Sequence, residues 1–205
     1  MNADRIKIGM DFDNTVIIYD DVFHKYGVQL GLIDPGVKKN KQTIRDAIRK
    51  LPDGESEWIK LQGLVYGLYI DEAAPAEGVE DFLDVCKAKG VEVSIISHKT
   101  QYPALGPKYD MPKAAKGWLE HRKFSSRFGI SPEDVIFERS LKGKFDKITQ
   151  RDCTHFIDDL PEVLLDPHFP QGVVRILYSQ IKENASEKYL HFNAWHEIKK
   201  YFFKK

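Results

Sequence analysis

A chain of 205 residues with 31 basic and 31 acidic side chains has no formal net charge. That removes the electrostatic case for a nucleic acid polymer or an anionic membrane surface as partner. Its composition, 42% hydrophobic and 30% charged, is that of an ordinary globular domain, and no apolar run approaches the roughly 20 residues that span a bilayer.

Met1-Asn2-Ala3-Asp4-Arg5 lacks the layout of a signal peptide and leads straight into Ile6-Lys7-Ile8-Gly9-Met10, an apolar run of strand length. The run delivers Asp11 and Asp13 to its C-terminal end. In extended backbone these two project to one side, with Phe12 turned away. Carboxylates so close repel unless a cation or a shared proton offsets them. The pattern suits a divalent metal site in which one Asp attacks and the other moves a proton; the alternative is a solvated Asx-turn ending the strand.

From about Tyr19 to Pro75 the chain carries two helical patterns, Ile44/Ala47/Ile48/Leu51 and Trp58/Leu61/Val65/Leu68, with a turn signal at Leu51-Pro52-Asp53-Gly54 between them. The aromatics Phe23, Tyr26, Trp58, Tyr66 and Tyr69 read either as core or as rings for a substrate base. Beyond residue 78, strands and helices alternate, the rhythm of βαβ units and a parallel sheet. Val79, Phe82, Leu83 and Cys86 share one helix face, stopped at Gly90. A strand to Ser97 follows. The stretch His98–Pro112, with three prolines, is a surface loop or a lid. Pro112–Phe128 is predicted as one helix, Asp134–Phe137 and Cys153–Asp158 as strands, and Gly172–Tyr178 as the last strand before a helix with Trp195, Ile198 and Phe202 inward. Cys86 and Cys153 are too few for a disulfide framework and sit at apolar positions, so both are expected as buried thiols in a cytoplasmic protein.

Ligands in an open parallel sheet bind outside the carboxyl ends of the strands. Asp11 and Asp13, Ser97, one of Lys142, Lys144 or Lys147, and the pair Asp158-Asp159 would therefore meet on one edge. Of the lysines, Lys144 best fits a helix start, with Phe145 and Ile148 following. No G-x-x-x-x-G-K-[ST] and no G-x-G-x-x-G occurs, which removes both nucleotide-cradle readings.

Asp11-x-Asp13-Asn14-Thr15, Ser97, Lys144 and Asp158-Asp159, in that order, resemble the four motifs of the haloacid dehalogenase (HAD) superfamily. The resemblance implies an α/β fold, a Rossmann-like parallel sheet sandwiched by helices over 1–18 and 76–205. It also implies a small helical cap of the C1 type at 19–75 that covers the catalytic edge. It assigns Asp11 as nucleophile and Asp13 as general acid and base. Ser97, His98, Lys144, Asn14 and Thr15 become phosphate- or substrate-binding residues. Mg²⁺ would be held by Asp11, the main-chain carbonyl of Asp13 and Asp158, with Asp159 ligating or supporting. An acid at Asp13 speaks against the dehalogenase branch. The expected activity is Mg²⁺-dependent hydrolysis of a small phosphorylated metabolite through an aspartyl phosphate, by a monomer or homodimer. A phosphoryl mutase and a catalytically silent binding module are the alternatives.

Overall fold

The opening apolar run forms the middle of a sheet. The computed structural model describes residues 5–180 and 187–204. Its first half holds β1 (Lys7–Met10), β2 (Ile17–Ile18), α1 (Asp20–Gln29), α2 (Lys41–Ile48), α3 (Gly54–Gly63), β3 (Ala74–Pro75), α4 (Val79–Ala88) and β4 (Glu92–His98). Then come α5 (Met111–His121), α6 (Phe124–Phe128), β5 (Val135–Glu138), α7 (Leu141–Gln150), β6 (His155–Asp158), α8 (Pro161–Leu164), β7 (Val174–Tyr178), β8 (Leu190–Phe192) and α9 (Trp195–Phe203). The reading of Met1–Asp4 as free of a leader lies outside the described residues. Among those described, no helix is long and apolar enough to cross a membrane.

The chain divides into two compact units. The first comprises 1–17, 75–99 and 123–205, and the second 18–74 and 100–122. In the first unit six strands form one sheet in the order β5-β4-β1-β6-β7-β8, with every pairing parallel. Counted along the chain within this sheet, that is the doubly wound order 3-2-1-4-5-6, and it reverses at β1. Met10 lies opposite Ile95 on one side and Ile157 on the other, so β1 and β6 end within a residue of each other at the reversal while β4 runs three residues further, to His98. This is the Rossmann-like α/β architecture expected.

Burial on both faces explains the unbroken apolar runs. On one face Phe145 and Ile148 of α7 join Ile96, Phe156, Val163, Leu164, Phe169 and Leu177 in a core cluster. On the other, Phe82 of α4 packs 5.1 Å from Trp195 of α9, and His155 lies 4.8 Å from Phe202. Gly9 interrupts β1 for a steric reason: a Cβ there would come within 2.6 Å of the Phe156 ring. Cys86 and Cys153 are free, buried thiols, as expected. The strand β8 was not expected.

The second unit contains the two expected helices, α2 and α3, and a further one, α1, before them. Its aromatic residues pack on one another: Phe23 stacks on Trp58 at 4.9 Å and Tyr26 on Tyr69 at 3.6 Å. Phe23, Trp58 and Tyr26 are buried, so these rings form core rather than a platform for a base. The segment 100–122 also belongs to this unit, which extends it beyond the expected insert at 19–75. Two glycines seat it. A Cβ on Gly63 would fall 2.7 Å from the Pro103 ring, and one on Gly67, in a π-helical turn over Leu64–Leu68, 2.4 Å from Tyr109 Cβ. Trp118 Nε1 and Arg122 Nη2 both donate to the Ala73 carbonyl, at 3.0 and 2.7 Å. The single helix predicted over Pro112–Phe128 is broken into α5 and α6. Lys123 takes a left-handed conformation (φ +58°) between them, at the point where the chain returns to the first unit.

Candidate active site

β1 gives out at Met10, but Asp11 N–H still donates to the Ile157 carbonyl (2.8 Å), which pins Asp11 to the end of β6. The chain then turns sharply, with Val16 and Ile17 N–H both donating to the Phe12 carbonyl at 2.9 and 3.1 Å. Asn14 absorbs the turn at φ +56°, a left-handed conformation that Asn tolerates better than most residues. Asp158 closes β6, and its Oδ1 accepts from Leu160 N–H at 3.0 Å. The third partner comes from α7. Ser140 caps that helix by accepting from Gly143 N–H, and the next residue, Lys144, projects from the first turn.

Lys144 Nζ donates to Asp11 Oδ1 and to Asp158 Oδ2, both at 2.6 Å, and all three side chains are at most 8% exposed. Lys142 and Lys147 point elsewhere, to Asp146 and Gln150, so of the three lysines Lys144 is the one brought to Asp11 and Asp158. Burial opposes the Lys144 ammonium, but its two carboxylate partners outweigh it and hold its pKa above the usual lysine value. Burial also pushes the Asp158 carboxyl up to about 6, against the downward pull of Lys144 and with the nearby Asp11 charge adding to the rise.

Asp13 lies beyond this trio. Lys99, the first residue after β4, donates through Nζ to Asp13 Oδ1 at 2.9 Å and Oδ2 at 2.6 Å. Lys99 is 4% exposed. Its main-chain N–H is fixed to the Glu138 carbonyl at the end of β5 (2.8 Å). The sequence reading counted His98 among the binding residues and did not single out Lys99; the structure brings Lys99, not His98, to Asp13. His98 is exposed, with Nε2 against the Arg139 carbonyl at 3.1 Å. The signal was the strand period: if Ser97 faces the site, Lys99 shares its side and His98 is turned away.

Ser97 is buried at the end of β4, in register with Phe137. Asn14 Nδ2 donates to Asp159 Oδ2 at 3.3 Å, which ties Asp159 to the turn after β1. Thr15 is fully buried, and its Oγ1 has no hydrogen-bond partner among the described residues.

Asp11 and Asp158 face one ammonium, which leaves an excess of buried negative charge that a hard divalent cation would relieve. Among the described residues no three His, Cys, Asp or Glu side chains are grouped for metal binding. A cation here would thus take two carboxylates and draw on main-chain, water and ligand oxygens. That is the donor set Mg²⁺ accepts, because it keeps much of its water.

No family model matches the chain, and no curated protein matches it either. Solved structures do. One is a HAD-superfamily hydrolase, subfamily IA, variant 1, from Geobacter sulfurreducens PCA (14% identity, 96% of each chain covered, TM-score 0.59). Another is a protein described as a predicted phosphoglycolate phosphatase from Haemophilus somnus 129PT (12%, 98% of this chain and 100% of that one, TM-score 0.59). A third is a dehalogenase (12%, 100% of both chains, TM-score 0.59). At such identities the likeness is one of architecture: the chain has the α/β fold of the HAD-superfamily hydrolases.

Proposed function

We propose that this chain is a Mg²⁺-dependent phosphatase of the HAD type, acting on a small phosphorylated metabolite. The observation that carries the reading is the pairing of Asp11 and Asp158 on Lys144 Nζ, beside an Asp13 carboxylate gripped by Lys99. The first group is a buried carboxylate with a fixed counter-charge, as a nucleophile for phosphorus requires. The second is a separate carboxylate available for proton transfer. A halide leaves without a proton and an alkoxide does not, so Asp13 favours phosphoester over carbon–halogen chemistry.

In this reading Asp11 attacks phosphorus, the bond to the leaving oxygen breaks, and that oxygen takes its proton from Asp13. Water then attacks the aspartyl phosphate, losing its proton to Asp13 and freeing Asp11 and inorganic phosphate. Lys144 and the Ser97 hydroxyl hold the phosphoryl oxygens. Mg²⁺, held by Asp11, Asp158 and the Asp13 carbonyl, would offset the charge of the phosphoryl group.

Phosphate release from a panel of phosphorylated metabolites tests the reading, run with Mg²⁺, with EDTA, and with Asp11→Asn. Release from one compound class, lost with EDTA and in the variant, is expected. Undiminished turnover by Asp11→Asn would remove the nucleophile assignment. Failure of beryllium fluoride to occupy the wild-type site would point to a silent module.

A further inference from the structure

We infer that Lys99 is a positioning residue for the reaction, acting through the Asp13 carboxylate rather than on the phosphate; the inference rests on the phosphatase reading above. The geometry is a two-point grip, with one ammonium on both oxygens of Asp13 at 2.9 and 2.6 Å. A lysine is a flexible side chain, and four restraints stiffen this one. Its backbone is tied to the Glu138 carbonyl (2.8 Å), and its residue is 4% exposed. Its ammonium stands 5.7 Å from the centroid of the Phe12 ring. Phe12 in turn packs edge-on against Phe137, at 5.4 Å. The carboxylate itself is less enclosed, with its side chain 21% exposed. The residue to which the reading gives the proton is thus held through both oxygens while its side chain stays 21% exposed.

Such a grip suits a group that must give up a proton in one half-reaction and take one in the next. When one Asp13 oxygen carries the proton, the other still accepts from Lys99, so the carboxyl keeps its aim in both states. A proton is transferred efficiently only when donor and acceptor come within hydrogen-bond reach. Loss of the grip should cost rate, not affinity for the phosphate.

The test compares an alkyl phosphate, whose leaving alkoxide needs a proton, with p-nitrophenyl phosphate, whose phenolate leaves without one. For Lys99→Met we expect kcat on the alkyl phosphate to fall about 10²-fold with KM little changed, and the first-turnover burst of nitrophenolate to stay within about threefold of wild type. In an Asp13→Asn background, Lys99→Met should cost nothing further, because the residue it serves is already gone. Lys99→Arg, which keeps a two-point cationic grip, should recover most of the alkyl activity. Lys99→Gln replaces Lys99→Met should the latter not fold by thermal melt. Equal losses on both substrates, a rise in KM alone, or additive losses with Asp13→Asn would each overturn the inference while leaving the phosphatase reading intact. A wild-type protein that releases no phosphate from any substrate would overturn both.

Discussion

Lys144 and Asp11 are 133 residues apart in sequence, and the ammonium of one lies 2.6 Å from the carboxylate of the other. The same ammonium serves Asp158, so one cation is shared by the buried ends of two neighbouring strands. Removing it leaves charge with nowhere to go. Lys144→Met should destabilise the protein by about 3–5 kcal/mol near neutral pH, the usual cost of stranding a buried charge. The deficit should shrink in acid. Burial already raises the folded-state carboxyl of Asp158 from 3.8 to about 6, and loss of the lysine removes what holds it down. A raised carboxyl pKa means that the folded state binds the proton more tightly, so stability falls as pH climbs from about 4 through about 6 and beyond. Urea unfolding of wild type and variant at pH 5 and pH 7.5 checks this: the gap between them should be larger at pH 7.5.

Thr15→Val replaces a buried hydroxyl that has no partner among the described residues with a methyl of the same shape. Exchanging an orphaned polar group for an apolar one is neutral or favourable, so a gain of up to about 1 kcal/mol is expected. The activity proposed above should survive. A loss of activity without a loss of stability would assign the hydroxyl to the substrate after all.

Two glycines of the second unit should respond to alanine in opposite directions. A Cβ at Gly67 would lie 2.4 Å from Tyr109 Cβ, so Gly67→Ala forces either the π-helical turn or the 100–110 segment to shift and should cost about 1–3 kcal/mol. Gly117, inside α5, has nothing within 4 Å of the same built atom, and Gly117→Ala should gain about 0.5–1 kcal/mol. Chemical denaturation of the pair, measured side by side, decides both.

The cysteines should be silent towards thiol reagents until the protein unfolds. Burial pushes Cys86 up to about 12 and Cys153 to about 11, which leaves almost no thiolate at pH 8. Titration with a chromogenic disulfide should count no fast-reacting thiol in the native protein and two in denaturant.

Most of the sheet was legible because a strand buried on both faces is a run of apolar side chains, and five of the six strands are such runs. Leu190-His191-Phe192 is not one: the strand has three residues at the sheet edge, none of them fully buried. In α1 the inward apolar positions are Val22, Phe23 and Tyr26, and no side chain caps its start, so neither periodicity nor a cap announced it. The break at Lys123 was hidden because a left-handed lysine has no signature in sequence. Of the site, Asp11, Asp158 and Lys144 could be placed from the ends of predicted strands and the start of a helix. Lys99 was missed because it follows the strand that ends at His98 and reads as a loop residue, although the alternation that turns Ser97 inward turns Lys99 inward too, and its partner Asp13 is set by strand order.

That strand order also sets a schedule. A ribosome releases Asp11 and Asp13 before the rest of the site and Lys99 after 86 more residues; α7 with Lys144, and then Asp158, follow later. At roughly 5–20 residues per second, the nascent chain spends on the order of ten seconds with its first carboxylates exposed and their counter-charge unmade. The central strand β1 has to wait as long for β6. A chain released before α7 would carry every residue of the opening motif yet lack the cation that allows Asp11 to be buried.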